Sequence, residues 1–188
     1  MYKTLIRPVL FKFNPEVAHN LTLNGLKVLR RIPFARNIVR LIYKREHPNL
    51  EREVFGIKFP NPVGLAGGLD KNGEVYNELS DFGFGFVEIG SLTAKPQPGN
   101  PKPRLFRVVK DKAIINRMGI NNHGVTQAIR NINSNHPRVI IAGNIAPNSS
   151  SQGEQVTEDY KTAFSLLYDF VDMFVINISC PNVVGLTS

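Results

Sequence analysis

The spacing of hydrophobic positions changes once along this chain. In residues 1–50 apolar residues recur at helical intervals, beginning with Leu5, Ile6, Val9 and Leu10 on one face of a first helix. This spacing predicts short amphipathic helices for the first quarter of the sequence.

Cap and breaker residues mark the ends of two further predicted helices. Asn14, Pro15 and Glu16 supply the N-cap, the first-turn proline and the first-turn acid of a helix start. This second helix is expected to end before Pro33, because the residue preceding a proline disfavours helical geometry. A third helix is predicted to stop before Pro48.

Beyond residue 50 the pattern becomes that of strands. Residues 53–59 alternate around Gly56 and predict a small hairpin, and residues 105–115 predict a second hairpin. Four further apolar runs are of the buried-strand type, and helical stretches separate them. These runs span residues 62–66, 86–89, 139–142 and 173–176. Strands that alternate with helices predict an α/β fold with a parallel sheet and right-handed crossovers.

Polar residues follow each of the four runs. They are Gly67 to Lys71, Gly90 and Ser91, Gly143 and Asn144, and Asn177 to Asn182. In a (β/α) barrel the carboxyl ends of the strands form the catalytic face, and a full barrel needs eight units and about 250 residues. Four units therefore leave two interpretations, an open doubly wound sheet or a fragment of a barrel.

The excess of positive over negative charge is confined to the first quarter of the chain. The net charge is +8, and residues 1–50 carry ten lysines and arginines against two glutamates. A basic segment favours a polyanionic partner, either an anionic membrane surface or a nucleic acid. No apolar run reaches the roughly 18 residues that span a bilayer, and the N-terminus lacks the features of a signal peptide.

Two of the polar segments suggest ligand binding. The glycines of residues 64–71 would let a flat or anionic ligand approach the backbone, with Lys71 as a cation. Asn116, Asn121 and Asn122 offer amides that both donate and accept, which suits a planar imide or a carboxylate. Ordinary turns, which favour the same residue types, are the alternative explanation for both segments.

The only cysteine, Cys180, lies in the polar segment after the last predicted strand. It is either a reactive thiol or one of the buried, inert thiols that are more common in proteins. A single cysteine excludes an internal disulfide, and the four histidines show no metal-ligand spacing, so no metal site is expected.

Several motifs, taken together and in order, resemble the dihydroorotate dehydrogenases, most closely their membrane-associated, quinone-using class. They are LAGGLDK at 65–71, IGS at 89–91 running into PQPGN at 96–100, PRLFR at 103–107, INRMG at 115–119 and NISCPN at 177–182. The basic N-terminal helices resemble the extra domain of that class. The resemblance extends over essentially all 188 residues.

The resemblance implies an FMN-binding (β/α)8 TIM barrel that oxidises dihydroorotate to orotate in pyrimidine synthesis. Residues 1–47 would form a basic amphipathic domain for membrane binding and quinone access, and residues 48–188 the first half of the barrel. The enzyme would lie at the cytoplasmic side of the cell membrane and pass its electrons to a membrane quinone. The rest of the barrel would be missing from this chain, which alone is expected to be inactive.

The resemblance also assigns roles to individual residues. Those implied to contact FMN are Gly67, Gly68, Leu69, Asp70, Lys71, Ser91, Asn144 and Asn177. Those implied to hold the substrate are Lys71, Asn116, Arg117, Met118, Gly119, Ile120, Asn177 and Asn182. His19 and Arg104 match positions that line the quinone tunnel, and Cys180 occupies the position of the base that takes a proton from substrate C5.

Two alternatives to this interpretation stay open, and the first comes from a departure from the family pattern. The quinone class usually carries a serine as the base, whereas Cys180 resembles the soluble class that uses fumarate or NAD. The basic helices of residues 1–50 oppose that first alternative. The second is a non-enzymatic module that binds lipid or RNA. Because aromatic and basic residues do not alternate regularly along residues 1–50, RNA is disfavoured and no nucleic-acid partner is expected.

Overall fold

The computed structural model describes residues 2–180 of the chain. A π-helical turn, Tyr2–Ile6, leads into the first of the α-helices. The helices are α1 (Arg7–Leu10), α2 (Pro15–Leu29), α3 (Ala35–Tyr43), α4 (Tyr76–Ser80), α5 (Val125–Ser134) and α6 (Glu154–Leu167). The strands are β1 (Arg52–Val54), β2 (Ile57–Phe59), β3 (Gly64–Leu65), β4 (Phe86–Leu92), β5 (Leu105–Val108), β6 (Ala113–Asn116), β7 (Ile140–Ile145) and β8 (Met173–Ile176). Two 3-10 turns, Pro48–Leu50 and Tyr168–Phe170, complete the described elements.

The predicted α/β architecture is confirmed. Strands β3, β4, β7 and β8 form a parallel sheet in that order, with helices between successive strands. The pairs β1–β2 and β5–β6 are the two antiparallel hairpins that the alternation predicts. Strand β3 is shorter than the run at 62–66, because Pro62 has no N–H for a ladder and Gly67 already belongs to the turn that follows.

The start of α2 is formed as the cap residues predict. The side chain of Asn14 accepts a hydrogen bond of 2.9 Å from the backbone N–H of Glu16, and Pro15 is the first helical residue. The helix ends at Leu29, slightly before Pro33, and Arg31 and Ile32 continue it only as 3-10 turns onto the carbonyls of Val28 and Leu29.

One face of the parallel sheet packs on its helices and forms the core. The fully buried side chains of Val87, Ile89 and Ile141 meet those of Ala128 and Leu167 from α5 and α6. Because successive residues of a strand point to opposite faces, the residues between these positions face the other side of the sheet. Those residues include polar side chains, which places the candidate site on that side and at the carboxyl edge.

The N-terminal helices rest on the outside of this core. Leu23 and Leu26 of α2 pack against the core cluster beside α4. Arg36 and Arg40 of α3 donate to the two carboxylate oxygens of the buried Asp81, just after α4. Among the described residues, no helix combines the length and apolar character needed to cross a bilayer.

Candidate active site

The carboxyl edge of the parallel sheet collects most of the predicted site residues. Residues 67–71 follow β3, and Ser91 lies near the end of β4. Asn144 lies in β7, and Asn177 directly follows β8. Parallel pairing of these strands brings residues that are more than 100 positions apart to one edge.

Asn144 presents an unused hydrogen-bond acceptor to this edge. Its Nδ2 donates to Glu88 Oε1 at 2.5 Å, and a carboxylate next to it fixes the amide with nitrogen on that side. The opposite atom, Asn144 Oδ1, is buried and has no partner among the described residues. A buried orphan acceptor is costly, so this oxygen is suited to accept from an N–H of a bound ligand.

Gly67 completes the same corner. A Cβ at this position would lie 2.6 Å from Glu88 Oε1 and 3.3 Å from Asn144 Nδ2. A side chain here would push the Glu88 carboxylate from this position and disturb its hydrogen bond with Asn144.

Ser91 and Asn177 form a second polar pair across the edge. Gly90 adopts φ +108°, and a Cβ there would meet the carbonyl oxygen of Asn144 at 2.4 Å, so only glycine fits this bulge of β4. Beyond the bulge, the Ser91 hydroxyl accepts from Asn177 Nδ2 at 2.9 Å. The hydroxyl therefore keeps its own proton to donate to a ligand. The Tyr160 hydroxyl holds the Asn177 carbonyl at 2.6 Å.

Gly68 leaves the backbone open to a ligand. It adopts φ +101°, and the nearest atom to a Cβ built there would be Lys71 Nζ, 3.9 Å away. A flat group could therefore lie against the backbone of this turn beside a cation.

Lys71 is half-buried, and its charge is coupled to those of neighbouring groups. Burial lowers the pKa of Lys71, and the charge of Arg104 lowers it further, whereas Cys180 and Glu16 oppose the shift. Burial also lowers the pKa of His19 in α2, and the charge of Lys71 adds to that effect. His19 is therefore neutral at pH 7. An anion beside Lys71 would stabilise the ammonium form of the lysine.

Cys180 lies beside the segment that follows the second hairpin. It is half-buried and packs with Ile120 and Ala146. The backbone carbonyl of Ile120 is held by Gln97 Nε2 at 2.7 Å and by Asn122 Nδ2 at 3.0 Å. The structure thus brings the candidate base and the candidate substrate segment together.

Some of the predicted residues have other hydrogen-bonding roles in the fold. The buried Asp70 carboxylate accepts from the backbone N–H groups of Glu74 and Val75, each at 2.8 Å, and caps the segment before α4. The exposed Arg117 side chain donates to the carbonyl of Pro103 at 2.8 Å. Its backbone and that of its neighbours still form the candidate substrate segment, residues 116–120. Asn182 lies outside the described residues.

Backbone groups of residues 116–120 form the hydrogen bonds that hold the rest of the candidate substrate segment. The Asn116 side chain accepts from the N–H of Met118 at 2.8 Å, and the carbonyl of Met118 accepts from Asn100 at 2.9 Å. Gly119 adopts φ +71°, which lets the chain turn between the buried side chains of Met118 and Ile120. The side chain of Leu69, in the turn after β3, packs against the core.

Arg104 links α2 to this segment. Its guanidinium donates to both carboxylate oxygens of Glu16, at 2.7 and 3.2 Å, and to the carbonyls of Pro98 and Asn100, at 2.6 and 2.9 Å. Its own carbonyl accepts from the N–H of Arg117 at 2.9 Å. We call this contact the Glu16–Arg104 clasp.

Sequence analysis missed three residues that order the site. Glu88 orients Asn144, Tyr160 holds the chain after β8, and Glu16 anchors Arg104. The sequence does mark Glu88, because an acid within the otherwise apolar run at 86–89 is unusual for a buried strand. Tyr160 and Glu16 had no local signal, because their partners are distant along the chain.

Comparison with known proteins identifies the family. The family model described as dihydroorotate dehydrogenase matches residues 49–188. The chain belongs to the dihydroorotate dehydrogenase family. A protein named dihydroorotate dehydrogenase (quinone) from Christiangramia forsetii is 52% identical over 97% of this chain and 53% of its own length. One of the same name from Methylococcus capsulatus is 42% identical over 100% of this chain and 54% of its own length.

Solved structures support the same assignment of fold. The crystal structure of DHODH in complex with ferulenol from Eimeria tenella has a TM-score of 0.77 and 36% identity. It covers 92% of this chain, which covers 46% of that chain. The parallel sheet is therefore part of the TIM barrel of the dihydroorotate dehydrogenase fold. The chain spans about half the length of the curated relatives it matches.

Proposed function

We propose that this protein oxidises (S)-dihydroorotate to orotate, with FMN as the hydride acceptor and a membrane quinone as the final electron acceptor. The reaction would serve de novo pyrimidine biosynthesis. The observation that carries the proposal is the convergence of Lys71, Asn144 and the Ser91–Asn177 pair at one sheet edge, with an unpartnered acceptor among them. The names of relatives at 42–52% identity support the reaction.

The residues at this edge fit a flavin ring, which is planar and carries both N–H and carbonyl groups. Asn144 Oδ1 would accept from a ring N–H, and the Ser91 hydroxyl would donate to a ring acceptor. The open backbone of Gly68 would lie against the ring, with Lys71 beside it. When bound there, FMN would supply the hydride-accepting chemistry that side chains lack.

Substrate binding is assigned to the residues around Cys180. Dihydroorotate is an anion with amide groups, so Lys71 would balance its carboxylate while Asn116, Asn177 and Asn182 pair with its amides. The segment from Arg117 to Ile120 would shape the pocket, since its backbone is held by Asn100 and Gln97.

Cys180 would act as the base in this site. It would take the proton from substrate C5 while the hydride leaves C6. Its position beside Ile120, and within electrostatic reach of Lys71, supports contact with a substrate held by those residues.

The N-terminal helices are proposed to bind the membrane from its cytoplasmic side. Arg36 and Arg40 turn the charged face of α3 inward to Asp81, whereas Leu41 is 81% exposed and Ile38 57% exposed. A helix that faces water turns its charged face outward, whereas α3 turns its apolar face outward. This orientation suits the interface of an anionic bilayer. His19 and Arg104 would then line the path by which a quinone reaches the site.

The identity of the electron acceptor has one competing candidate. Cys180 stands where the quinone class usually has serine, which favours a soluble acceptor such as fumarate or NAD. The exposed apolar face of α3 favours the quinone. Steady-state assays with a soluble quinone analogue, fumarate and NAD in parallel separate the two, because only the true acceptor reoxidises the flavin rapidly.

The role of Cys180 is tested by following the two half-reactions separately. The assay uses this chain joined after Ser188 to the remaining part of the Christiangramia forsetii relative. Cys180→Ala should leave FMN bound but slow flavin reduction by dihydroorotate about 10²–10⁴-fold, the usual effect of losing a general base. Cys180→Ser should retain part of the rate with a shifted pH profile, since hydroxyls and thiols differ in acidity.

Anaerobic stopped-flow absorbance across pH gives both rates. Reoxidation of reduced flavin by quinone should change little in either variant, because that step takes no proton from substrate C5. If Cys180→Ala reduces its flavin at the parent rate, the cysteine is a packing residue and the proposed base is wrong. Absence of bound flavin in the parent would overturn the cofactor assignment instead.

A further inference from the structure

A cationic groove lies away from the candidate active site, between α1 and the β5–β6 hairpin. Its volume is about 550 Å³. Four cations line it, Lys3, Arg7, Arg107 and Lys112, together with apolar side chains that include Phe11 and Ile114. We call this feature the hairpin groove.

The groove gathers positive charge around one aromatic ring. The guanidinium carbons of Arg7 and Arg107 lie 4.8 and 4.5 Å from the centre of the Phe11 ring. Arg107 is also fixed to the end of α1, since it donates to the carbonyls of Phe13 at 2.7 Å and Leu10 at 3.3 Å. Both guanidinium groups are thus held against the same ring.

No acid among residues 2–180 forms an ion pair with any of the four cations. Asp111, at the hairpin turn, is next to Lys112 in sequence but does not line the groove. Like charges that converge without a counter-charge repel one another, and an anion placed among them lowers the electrostatic energy. The groove is therefore complementary to an anionic group.

The apolar walls favour an amphiphile over a free anion. Ile114 is 65% exposed and Val109 59% exposed at the groove, and Val9 on the adjacent α1 is 55% exposed. Apolar residues this exposed gain free energy when they contact acyl chains. A phosphate group alone would leave them in water, whereas a phospholipid satisfies the cations and the apolar walls together.

We propose that the hairpin groove is a binding site for the phosphate head group of an anionic phospholipid. The acyl chains would lie along Ile114 and the apolar face of α1, so that the β5–β6 hairpin docks on the bilayer with the helices. The inference deepens the membrane association proposed above and rests on it. It adds a discrete site to what would otherwise be diffuse attraction.

The test measures saturable binding of a monomeric lipid to the whole 188-residue chain. Dihexanoyl phosphatidylglycerol, kept below its micelle concentration, is titrated and followed by calorimetry. Arg7→Gln with Lys112→Asn should weaken binding about 30-fold, since each cation near an anionic lipid contributes about fivefold. Asparagine suits position 112, because Lys112 has φ +52° and asparagine tolerates that conformation.

A matched pair of substitutions controls for net charge. Lys12→Gln with Arg31→Gln removes two cations from residues 1–50 outside the groove, and it should change lipid affinity less than twofold. Circular dichroism checks that both double variants keep the parent helix content. If the groove variant loses helix content, the single variant Lys3→Gln is tested in its place, and its lipid affinity should fall about fivefold.

The outcomes separate the possible anion sources. Equal loss in the groove pair and the control pair would leave only diffuse attraction and overturn the site. Binding of glycerol phosphate as tightly as the lipid would make it a free-phosphate site, and overturn the proposal too. Failure of the parent chain to bind vesicles containing phosphatidylglycerol would overturn the membrane association and the groove together. Vesicle binding by the parent without saturable binding of the monomeric lipid would overturn the groove alone.

Discussion

Glu78 is an acidic residue buried inside the fold. It lies in α4 with 0% exposure, and neither carboxylate oxygen has a hydrogen-bond partner within the described residues. Burial raises the pKa of Glu78, and the charge of Asp81 adds to this, whereas the nearby backbone N–H of Glu78 itself and the charges of Arg36 and Arg30 oppose it. The folded protein therefore holds a proton on Glu78 more tightly than the unfolded chain does.

This proton linkage predicts how Glu78→Gln changes the free energy of unfolding. Below the ordinary glutamate pKa of 4.5, Glu78 is protonated in both the folded and the unfolded parent. The parent and the variant should then be about equally stable. As the pH rises from 4.5 toward the raised pKa that Glu78 has in the folded protein, the parent loses stability while the variant does not. At pH 8 the variant should be the more stable of the two, because the parent must either retain a proton or bury a charge, whereas the neutral amide does neither.

Urea unfolding of the 188-residue chain between pH 4 and pH 8 measures the difference. The exposed substitution Glu53→Gln is the matched control, and should leave stability unchanged across this range. A Glu78→Gln variant that is less stable than the parent at pH 8 would show that Glu78 is ionised and paired in the folded protein.

At the scale of elements, the Glu16–Arg104 clasp joins α2 to the substrate segment. Hydrogen bonds from Arg104 lower the pKa of Glu16 against the opposing effect of burial, and the charges of Arg104 and Lys102 contribute. A carboxylate with a lowered folded pKa adds stability above its ordinary value of 4.5, and this stability is lost as the pH falls through the folded value. Docking of α2 should therefore weaken in acid.

Glu16→Gln should detach α2 by leaving Arg104 buried without its counter-charge. Removing one partner of a buried ion pair typically costs about 3–5 kcal/mol. Hydrogen–deuterium exchange should show faster exchange in α2 and, through Arg104, in residues 116–120. Lys102→Gln removes a partner that is 67% exposed and lies 3.3 Å from the same carboxylate, so it should cost less than about 1 kcal/mol. Equal exchange in both variants would mean that the clasp does not connect the two elements.

At the scale of the whole molecule, the proposed function predicts that the charge and the apolar faces of residues 1–50 serve membrane access, whereas the flavin chemistry depends on the sheet edge. Deleting residues 1–45 from the joined protein described above should abolish reoxidation by a membrane quinone while flavin reduction by dihydroorotate changes much less. The reason is that Lys71, Asn144 and Ser91 all lie outside the deleted segment, so flavin reduction should feel only the loss of Glu16, which loosens residues 116–120 through Arg104. Stopped-flow rates of both half-reactions, with quinone supplied in anionic vesicles, measure the separation.

Salt provides an independent check on the intact joined protein. Binding to anionic vesicles should weaken as ionic strength rises, because screening shortens the range of the +8 charge. Equal loss of both half-reactions on deletion would contradict the assignment of these helices to quinone access, since it would show that they are needed for the flavin site itself.

The sequence by itself determined the elements, the order in which they follow one another and the family. The cap at Asn14, the hairpin around Gly56 and the four parallel strands all follow from local patterns, since each depends on residues within one turn or one strand. The family followed because several short motifs occur in one order. The strand pattern placed Ser91, Asn144 and Asn177 at the ends of strands, and the resemblance to the family implied that they contact FMN.

Only the tertiary structure decided what these side chains bind. Asn144 meets Glu88 across 56 residues, Asn177 meets Ser91 across 86, and Arg104 meets Glu16 across 88. Such pairings depend on sheet order and on how the helices dock, which no local pattern encodes. The inward charged face of α3 arises in the same way, because Arg36 and Arg40 look solvated until Asp81 is buried beneath them. Local propensities select helices and strands, whereas long-range packing selects partners.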